Sequence, residues 1–210
     1  MHIVCSDLEG VFIPEIWIEV AEKTGIRELK LTTREIADYN VLMKRRIAIL
    51  KENGLKLSDI REVIEGMEPL EGAAAMVDWL RACTQLIILS DTFIQFAGPL
   101  MEKLGQPTLF CHSLSIDPDG YITGYRLRQE NSKQKAVAAL KQLNFRLLAV
   151  GDSYNDIEML KAADKGVLFN PPDNVKEEFP DLEVCRSYSE LKKIVRKNLE
   201  LDDKNDKYDK

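Results

Sequence analysis

The chain has 210 residues, of which 45% are hydrophobic and 30% charged, and its formal net charge is -6. These values are typical of a globular chain with one sizeable core, and no apolar run approaches the length of about 18 residues that a membrane span needs. The negative charge argues against a general nucleic-acid binder, because phosphate backbones require a basic face. No basic segment precedes the first apolar run, so we expect no targeting signal, no membrane partner and a cytoplasmic protein.

The four cysteines predict reduced thiols. Cys5, Cys83, Cys111 and Cys185 are scattered along the chain, and none belongs to a C-x-x-C pair or lies near a histidine cluster. Zinc sites and disulfide frameworks show closer or patterned spacing, so we expect neither of them.

The first strand leads directly into a pair of carboxylates. An apolar run from Ile3 ends at Asp7 and Glu9, and Gly10 follows. Short apolar runs are typical of buried parallel strands, whose carboxyl ends are where open α/β sheets bind ligands. Paired carboxylates at such an end suit a nucleophile beside a general acid/base, and Gly10 allows a sharp turn and the close approach of a ligand.

The next segment shows helical patterns and no strand. The predicted helices cover residues 14–23, 41–51 and 58–64, and a capping-box pattern at residues 32–35 predicts a further helix entrance. We interpret residues 14–68 as an all-helical cap that folds over the strand ends.

From Leu70 onward, helical and strand patterns alternate, which predicts a parallel sheet with helices on both faces. The predicted strands cover residues 85–90, 108–111, 146–152 and 166–169, and a hairpin turn is predicted at Asp119-Gly120. The fold prediction is therefore an α/β protein with a Rossmann-like parallel sheet. Residues 1–13 and 69–200 form its core, residues 14–68 the inserted helical cap, and residues 201–210 a disordered tail of mixed charge.

Four groups of polar residues fall at predicted strand ends or helix starts. They are Asp7-Leu8-Glu9, Ser90-Asp91-Thr92, Lys133 with Lys135 nearby, and residues 151–156. In this order and at these positions they resemble the motifs of the haloacid dehalogenase (HAD) superfamily of aspartate-nucleophile phosphatases and phosphotransferases. The resemblance covers about residues 1–170, and this superfamily carries one type of cap where the present chain has its helical insert.

Longer segments are similar to one subgroup of that superfamily, the bacterial bifunctional phosphoserine phosphatase/homoserine phosphotransferases. The similar segments are residues 7–11, 14–18, 89–93 and 151–156. This subgroup has Glu at the position of Glu9, where most relatives have a second Asp. The resemblance implies hydrolysis of phosphoserine and leaves open whether water or homoserine is the physiological acceptor.

The acidic character of the predicted site calls for a cation. Two unit charges about 4 Å apart repel each other by roughly 4 kcal/mol at an effective dielectric near 20, so the carboxylates would repel a phosphate monoester. Magnesium suits such a site because it is hard, octahedral and held by a few carboxylates with water and substrate oxygens. The resemblance implies that Mg²⁺ is held by the Asp7 side chain, the Glu9 carbonyl and the Asp152 side chain. Asp156 would lie behind these ligands and orient a water molecule or Lys133.

A lysine is also expected beside the nucleophile. By resemblance, Lys133 neutralises the charge of Asp7 and of the transferring phosphoryl group. Lys135 is the competing candidate, and an ordinary solvated lysine in a first helical turn is the alternative for Lys133.

The phosphoryl group itself requires hydrogen-bond donors. By resemblance, Ser90 and the backbone amides of Asp91 and Thr92 would donate to its oxygens at a helix start, a position that favours anions. Asn155 would donate to the same group or cap its own helix.

The resemblance implies a two-step reaction on an amino-acid phosphate. Asp7 attacks phosphorus while Glu9 protonates the leaving alcohol, and water activated by Glu9 then hydrolyses the aspartyl-phosphate. Arg46 matches the arginine that binds the substrate carboxylate in phosphoserine phosphatases, and a guanidinium suits bidentate capture. Glu15 is the candidate partner of the substrate ammonium. Both residues also suit ordinary positions on helix surfaces.

Other interpretations remain open at this point. The substrate could be a different small phosphomonoester. A signalling receiver domain also gathers acids and a lysine around a phosphorylated aspartate, but receivers are shorter and lack a helical insert. A binding module without turnover is disfavoured because all four motifs retain competent residues. The oligomeric state is open, and a homodimer is compatible with the sequence.

Overall fold

The computed structural model describes residues 1–32, 36 and 38–200. The predicted helix entrance at residues 33–35 and the predicted tail at residues 201–210 therefore lie outside the described residues. Strands are β1 (His2–Ser6), β2 (Gln85–Phe93), β3 (Thr108–Ile116), β4 (Ile122–Arg126), β5 (Arg146–Gly151), β6 (Lys165–Phe169) and β7 (Glu183–Cys185). Helices are α1 (Ile16–Thr24), α2 (Tyr39–Glu52), α3 (Leu57–Glu65), α4 (Ala73–Cys83), α5 (Ile94–Lys103), α6 (Ser132–Gln142), α7 (Ile157–Ala162), α8 (Asp173–Glu178) and α9 (Tyr188–Leu199). Short 3-10 helices occupy Arg27–Lys30 and Tyr154–Asp156.

These strands form one sheet in the order β4-β3-β2-β1-β5-β6-β7. All neighbouring pairs are parallel except β3 and β4, which form the predicted antiparallel hairpin. Strand β1 lies between β2 and β5, so the chain runs outward from it in both directions. Such a switch point leaves a crevice at the carboxyl ends of the strands. The predicted α/β class with a mainly parallel sheet is confirmed.

Apolar side chains cover both faces of the sheet. Because alternate residues of a strand point to opposite faces, Val4 packs with α4, α5 and α9 on one side, and Ile3 and Cys5 pack with α6, α7 and α8 on the other. The near-continuous apolar sequence of β1 is therefore that of a strand buried on both faces. This burial fixes the place where β1 ends and its carboxylates begin.

In the described part of residues 14–68 the chain forms helices and no strand. Trp17, Met43 and Ile64 of this segment share one apolar cluster with Val77 and Phe96 of the sheet-covering helices. The segment is thus packed onto the sheet layer through a continuous core. The division of the chain into a core and a cap at these boundaries stays a prediction.

Strand β2 is longer than the sequence predicts. It continues to Phe93, and its pairing with β3 shifts register between Leu89 and Phe93. Between these pairs, three residues of β2 face one residue of β3, Cys111, which makes a bulge at Ser90, Asp91 and Thr92. The sequence predicts that this strand ends at Ser90, whereas Asp91 and Thr92 also belong to β2, and α5 begins at Ile94 directly after it. Bulges of this kind redirect side chains at the ends of strands.

Helix α8 and strand β7 are absent from the sequence prediction. Both are short, of six and three residues, and four of the six α8 residues are charged. Neither carries enough apolar periodicity to be recognised, and β7 is placed by its pairing with β6. No helix among the described residues combines the length and the apolar character that crossing a membrane requires.

Candidate active site

Three carboxylates meet where β1 and β5 end. Asp7 follows β1, and its backbone N–H donates to Val150 of β5 at 2.9 Å. Asp152 follows β5 directly, and Asp156 lies one turn later in the second 3-10 helix. Ligand atoms of the three side chains lie within 4.8 Å of one another. The parallel pairing of β1 and β5 therefore brings together acids that are 145 residues apart in sequence.

Lys133 lies among these acids. Its Nζ lies 2.8 Å from Asp7 Oδ2 and 2.8 Å from Asp156 Oδ1, and 3.7 Å from Asp91 Oδ2. The lysine is 4% exposed, whereas Lys135, the competing candidate, is exposed on the same helix. Helix α6 is therefore oriented so that Lys133, and not Lys135, contacts the predicted nucleophile.

The backbone leaves no room for side chains beside these acids. Gly10 has φ +73°, and a Cβ on it would lie 2.5 Å from the Asp152 carboxyl group. A Cβ on Gly151 would clash with Asp156 in the same way. The Asp152 carboxylate thus occupies the space that a side chain at residue 10 would need, and the positive φ also favours glycine at this position.

Burial and mutual repulsion disfavour the charged forms of the acids. Burial and then the Asp156 carboxylate raise the pKa of Asp7 well above its usual range, although Lys133 opposes this shift. The same two causes raise the pKa of Asp152 to about 7. The Asp156 carboxylate accepts three hydrogen bonds. Its Oδ2 accepts from the backbone N–H groups of Asp152 at 3.0 Å and Ser153 at 3.3 Å, and its Oδ1 accepts from Lys133.

This arrangement fits a divalent cation. Three carboxylates face one ammonium group, so the cluster has excess negative charge unless protons or a cation are bound. Both oxygens of Asp156 are engaged by protein donors, and so are both oxygens of Asp7, through the Leu8 N–H and Lys133. The choice of Asp7 and Asp152 as direct ligands therefore stays a prediction. Hard oxygen ligands of this type are those that Mg²⁺ prefers.

Glu9 points toward the start of α1. Its Oε2 accepts from the backbone N–H of Ile16, the first residue of that helix, at 2.9 Å. Glu15 is the residue before this helix and provides no side-chain cap of its own. Burial, and then the charge of Glu15, raise the pKa of Glu9 to about 8. A protonated carboxyl group at neutral pH is what a general acid requires.

The Ser90–Thr92 bulge and Asn155 line one cavity, and some of their polar groups have protein partners. Ser90 Oγ accepts from the Thr92 backbone N–H at 3.2 Å. Asn155 Nδ2 donates to Asp91 Oδ2 at 3.1 Å, and its Oδ1 accepts from Ser153 Oγ at 2.6 Å. The structure places these residues at the cavity, and their role in phosphate binding stays a prediction.

The cavity at the strand ends has a volume of about 220 Å³. Its walls come from both the strand ends and the helical segment: Asp7, Glu9, Glu15, Trp17, Ile18, Thr32, Tyr39, Leu42, Arg46, Ser90, Asp91, Thr92, Lys133, Ser153, Tyr154 and Asn155. The predicted nucleophile Asp7 and the charged side chains of Glu15 and Arg46 therefore face one cavity.

Arg46 is held rigidly on the helical side of this cavity. Its guanidinium lies 4.6 Å above the Trp17 ring, and one terminal N–H donates to the Leu31 carbonyl at 2.7 Å. Its Nε is buried and has no hydrogen-bond partner among the described residues. Burial lowers the pKa of Arg46 to about 10, so the side chain stays charged. A buried cation with an unused donor is suited to an anionic ligand group.

His112 was not singled out by the sequence analysis. It is 5% exposed, its Nε2 lies 3.4 Å from Asp91 Oδ1, and its Nδ1 accepts from the Arg128 backbone N–H at 3.1 Å. Tyr39 was also missed, and its hydroxyl donates to the Asp91 carbonyl at 3.2 Å. The available signal for His112 was its place in the third strand, next to the strand that ends in Ser90-Asp91-Thr92.

Comparison with known proteins identifies relatives along nearly the whole chain. The family model for haloacid dehalogenase-like hydrolases matches residues 4–164. The chain is 56% identical over 193 residues to "Phosphoserine phosphatase ThrH" of Pseudomonas aeruginosa, covering 92% of this chain and 94% of that protein. It is 54% identical over 203 residues to a phosphoserine phosphatase of Pseudomonas syringae pv. tomato, covering 96% and 86%.

Solved structures share the fold at low sequence identity. A phosphoserine phosphatase solved as a phospho-aspartyl intermediate analogue superposes with a TM-score of 0.76 at 23% identity, covering 92% of this chain and 98% of that one. A phosphoserine phosphatase in apo form gives a TM-score of 0.75 at 23% identity, with 91% and 98% covered. At this identity the likeness concerns the fold.

Proposed function

Because the chain belongs to the haloacid dehalogenase-like hydrolase family, we propose that it is a magnesium-dependent phosphoserine phosphatase that works through a phosphorylated Asp7. The two Pseudomonas relatives support the choice of substrate. The observation that carries the proposal is the shared cavity, which is lined by Asp7 and Lys133 and also by Arg46 and Glu15. We further propose that homoserine can replace water as the acceptor.

The first step transfers the phosphoryl group to the protein. A carboxylate oxygen of Asp7 forms a bond to phosphorus while the bond from phosphorus to the serine oxygen breaks, and that oxygen takes the proton of Glu9. Lys133, 2.8 Å from Asp7, offsets the negative charge of the attacking carboxylate and of the transferred group. Protonated Glu9 is available at neutral pH because its pKa is about 8.

In the second step, water gives a proton to the Glu9 carboxylate and attacks phosphorus. The bond between phosphorus and Asp7 breaks, which releases phosphate and restores the carboxylate. An alcohol such as homoserine would follow the same path and yield its phosphate ester. Mg²⁺, held by Asp7, Asp152 and the Glu9 carbonyl, would neutralise the phosphoryl charge.

The proposed substrate carries charged groups that are complementary to Arg46 and Glu15 of this cavity. Phosphoserine carries a carboxylate, for which Arg46 offers its unused Nε donor, and an ammonium, for which Glu15 offers a carboxylate. Binding of both groups would hold the phosphoryl end over Asp7. We also propose a cytoplasmic location, because the spacing of the four cysteines in the sequence shows no disulfide framework.

The direct test is phosphate release from phosphoserine in buffers with Mg²⁺ or with a chelator, and with or without homoserine. We expect release that requires Mg²⁺, and we expect phosphohomoserine to appear when homoserine is added. A protein that hydrolyses a generic aryl phosphate but leaves phosphoserine intact would refute the substrate and keep the chemistry. Phosphate release unaffected by homoserine would refute the transferase activity alone.

Arg46→Lys should impair the use of phosphoserine selectively. Lysine keeps the charge but loses the guanidinium fork, so we expect KM for phosphoserine to rise about 10- to 100-fold. An aryl phosphate has no carboxylate, so its kinetic constants should change little. Arg45→Lys, in the exposed neighbouring arginine, is the matched control. Equal losses on both substrates would mean that Arg46 supports the fold and does not recognise the carboxylate.

Glu15→Gln should shift the pH profile of the enzyme. The Glu15 charge helps to raise the pKa of Glu9, so its removal lowers that pKa. Glu9 must be protonated as the acid, and activity is therefore lost as pH rises through its pKa. The alkaline limb of kcat/KM should move to lower pH, measured with ethyl phosphate because that substrate lacks an ammonium group. An unchanged alkaline limb would contradict the role of Glu9 as the acid.

A further inference from the structure

The side chain of Asp91 connects the predicted phosphate-binding residues to a buried histidine. Asp91 Oδ2 accepts from Asn155 at 3.1 Å and lies 3.7 Å from Lys133 Nζ, while Asp91 Oδ1 lies 3.4 Å from His112 Nε2. One carboxylate thus joins β2, β3, the first turn of α6 and the loop after β5. A bulge in β2 places Asp91 there.

His112 is itself fixed from behind. Its Nδ1 accepts from the Arg128 backbone N–H at 3.1 Å, so the ring proton resides on Nε2 and faces Asp91. The ring is 5% exposed and packs 6.5 Å from the Phe93 ring at 54°. His112 therefore has little freedom to turn, and it presents one donor in one direction.

The charge state of Asp91 agrees with this geometry. Burial alone would raise its pKa, but the Lys133 ammonium, together with His112 and Asn155, lowers the pKa of Asp91 well below its usual range. Asp91 is therefore anionic and accepts from all its neighbours. Asp91 also lies near Lys133 but does not belong to the cluster of Asp7, Asp152 and Asp156.

We propose that His112 is a positioning residue for the phosphoryl-transfer site. By holding Asp91, it fixes Asn155 and the ammonium group of Lys133 where they meet the phosphoryl group. The residue does not touch the reacting atoms and acts through Asp91. This inference rests on the proposed use of Lys133 in phosphoryl transfer, and it does not depend on which phosphomonoester is the substrate.

Two substitutions at His112 separate the two contacts of the ring. Asn can replace Nδ1 as the acceptor for Arg128 but cannot reach Asp91, whereas Gln extends an amide N–H to the position of Nε2. We expect H112N to lower kcat about 10-fold, as the loss of outer partners of site residues does elsewhere, and H112Q to recover most of that loss. His2→Asn, in the other histidine of the chain, is the control.

A double-mutant cycle with Asp91→Ala tests whether His112 acts through Asp91. Asn would keep an oxygen acceptor for His112 Nε2, whereas D91A removes the group that His112 holds. H112N should therefore add almost nothing to D91A, and the double variant should resemble D91A. Independent effects of about 10-fold each would instead multiply to about 100-fold, as they would for a merely structural role. Three outcomes would each overturn the proposal: effects that multiply in the double variant, a kcat of H112N within about twofold of wild type, or no recovery of kcat in H112Q.

The cycle is measured with an aryl phosphate and with phosphoserine. Equal fold-losses on both substrates are expected, because Lys133 and Asn155 act on the group that the substrates share. A wild-type protein without activity on phosphoserine would refute the proposed function, while the aryl phosphate would still test His112. Should H112N fail to fold, D91A alone tests the contact, and a kcat within about twofold of wild type would overturn the proposal.

Discussion

Asp7→Asn should abolish turnover of every phosphomonoester while the protein stays folded. An amide oxygen is uncharged and a poor nucleophile, so we expect phosphate release to fall by at least about 10⁴-fold, as for the loss of other enzyme nucleophiles. The substitution preserves shape, and the Oδ1 that accepts from the Leu8 N–H at 2.7 Å can remain in place. The loss should therefore appear in kcat and be the same for phosphoserine and an aryl phosphate.

The same variant should be at least as stable as the wild type when no metal is added. Burial and Asp156 raise the pKa of Asp7, so its ionisation disfavours the folded state at any pH above the ordinary carboxyl pKa. An uncharged Asn removes this penalty. Site residues that reduce stability for the sake of activity are common in enzymes.

Phosphate release and urea unfolding in a chelating buffer check both parts of this prediction. Residual turnover within about 100-fold of wild type would mean that Asp7 is not the nucleophile. A large drop in the free energy of unfolding would mean that the inactivity reports misfolding. Asp152→Asn serves as a comparison, because it should lower the affinity for Mg²⁺ and allow partial recovery at high Mg²⁺ concentration.

Lys133→Met should damage both stability and activity. Methionine fills a similar volume but leaves Asp7 and Asp156 buried without their ammonium partner at 2.8 Å. Removing one partner of a buried ion pair typically costs about 3–5 kcal/mol in the free energy of unfolding. We expect kcat to fall by about 10²- to 10³-fold as well, because a donor to the transferring group is lost.

The stability loss in Lys133→Met should depend on pH. Asp7 has a raised pKa and takes up a proton as the pH falls, which removes part of the unpaired charge. The difference in unfolding free energy between wild type and variant should therefore shrink toward acidic pH. Lys135→Met, in an exposed lysine of the same helix, is the matched control and should change neither property. Equal effects of the two variants would contradict the assigned position of Lys133.

The sequence predicts the main frame of the site because parallel strands end at one edge of the sheet. Asp7 and Asp152 each follow a short apolar run, and neighbouring strands bring such positions together whatever the length of chain between them. The same reasoning does not decide between Lys133 and Lys135. Lys133 is buried and Lys135 is exposed, and this difference depends on how α6 packs against the sheet.

Other features depend on contacts that one sequence does not reveal. The bulge at Ser90–Thr92 arises from the register between β2 and β3, and it keeps Asp91 and Thr92 in a strand that the sequence predicts to end at Ser90. The contact of His112 with Asp91 can be recognised only when β3 is placed beside β2, because Asp91 lies 21 residues earlier in the sequence. Strand β7 exists by pairing with β6, which no local pattern of three residues could predict.

The most direct test of the account is to trap the phosphorylated protein. Wild-type protein is mixed with phosphoserine and Mg²⁺, quenched within milliseconds, digested and examined by mass spectrometry. The account predicts one phosphoryl group on the peptide that contains Asp7, removed by hydroxylamine, absent in Asp7→Asn and turned over faster when homoserine is present. Rapid phosphate release with no phosphorylated peptide, or with the phosphoryl group on another residue, would contradict it.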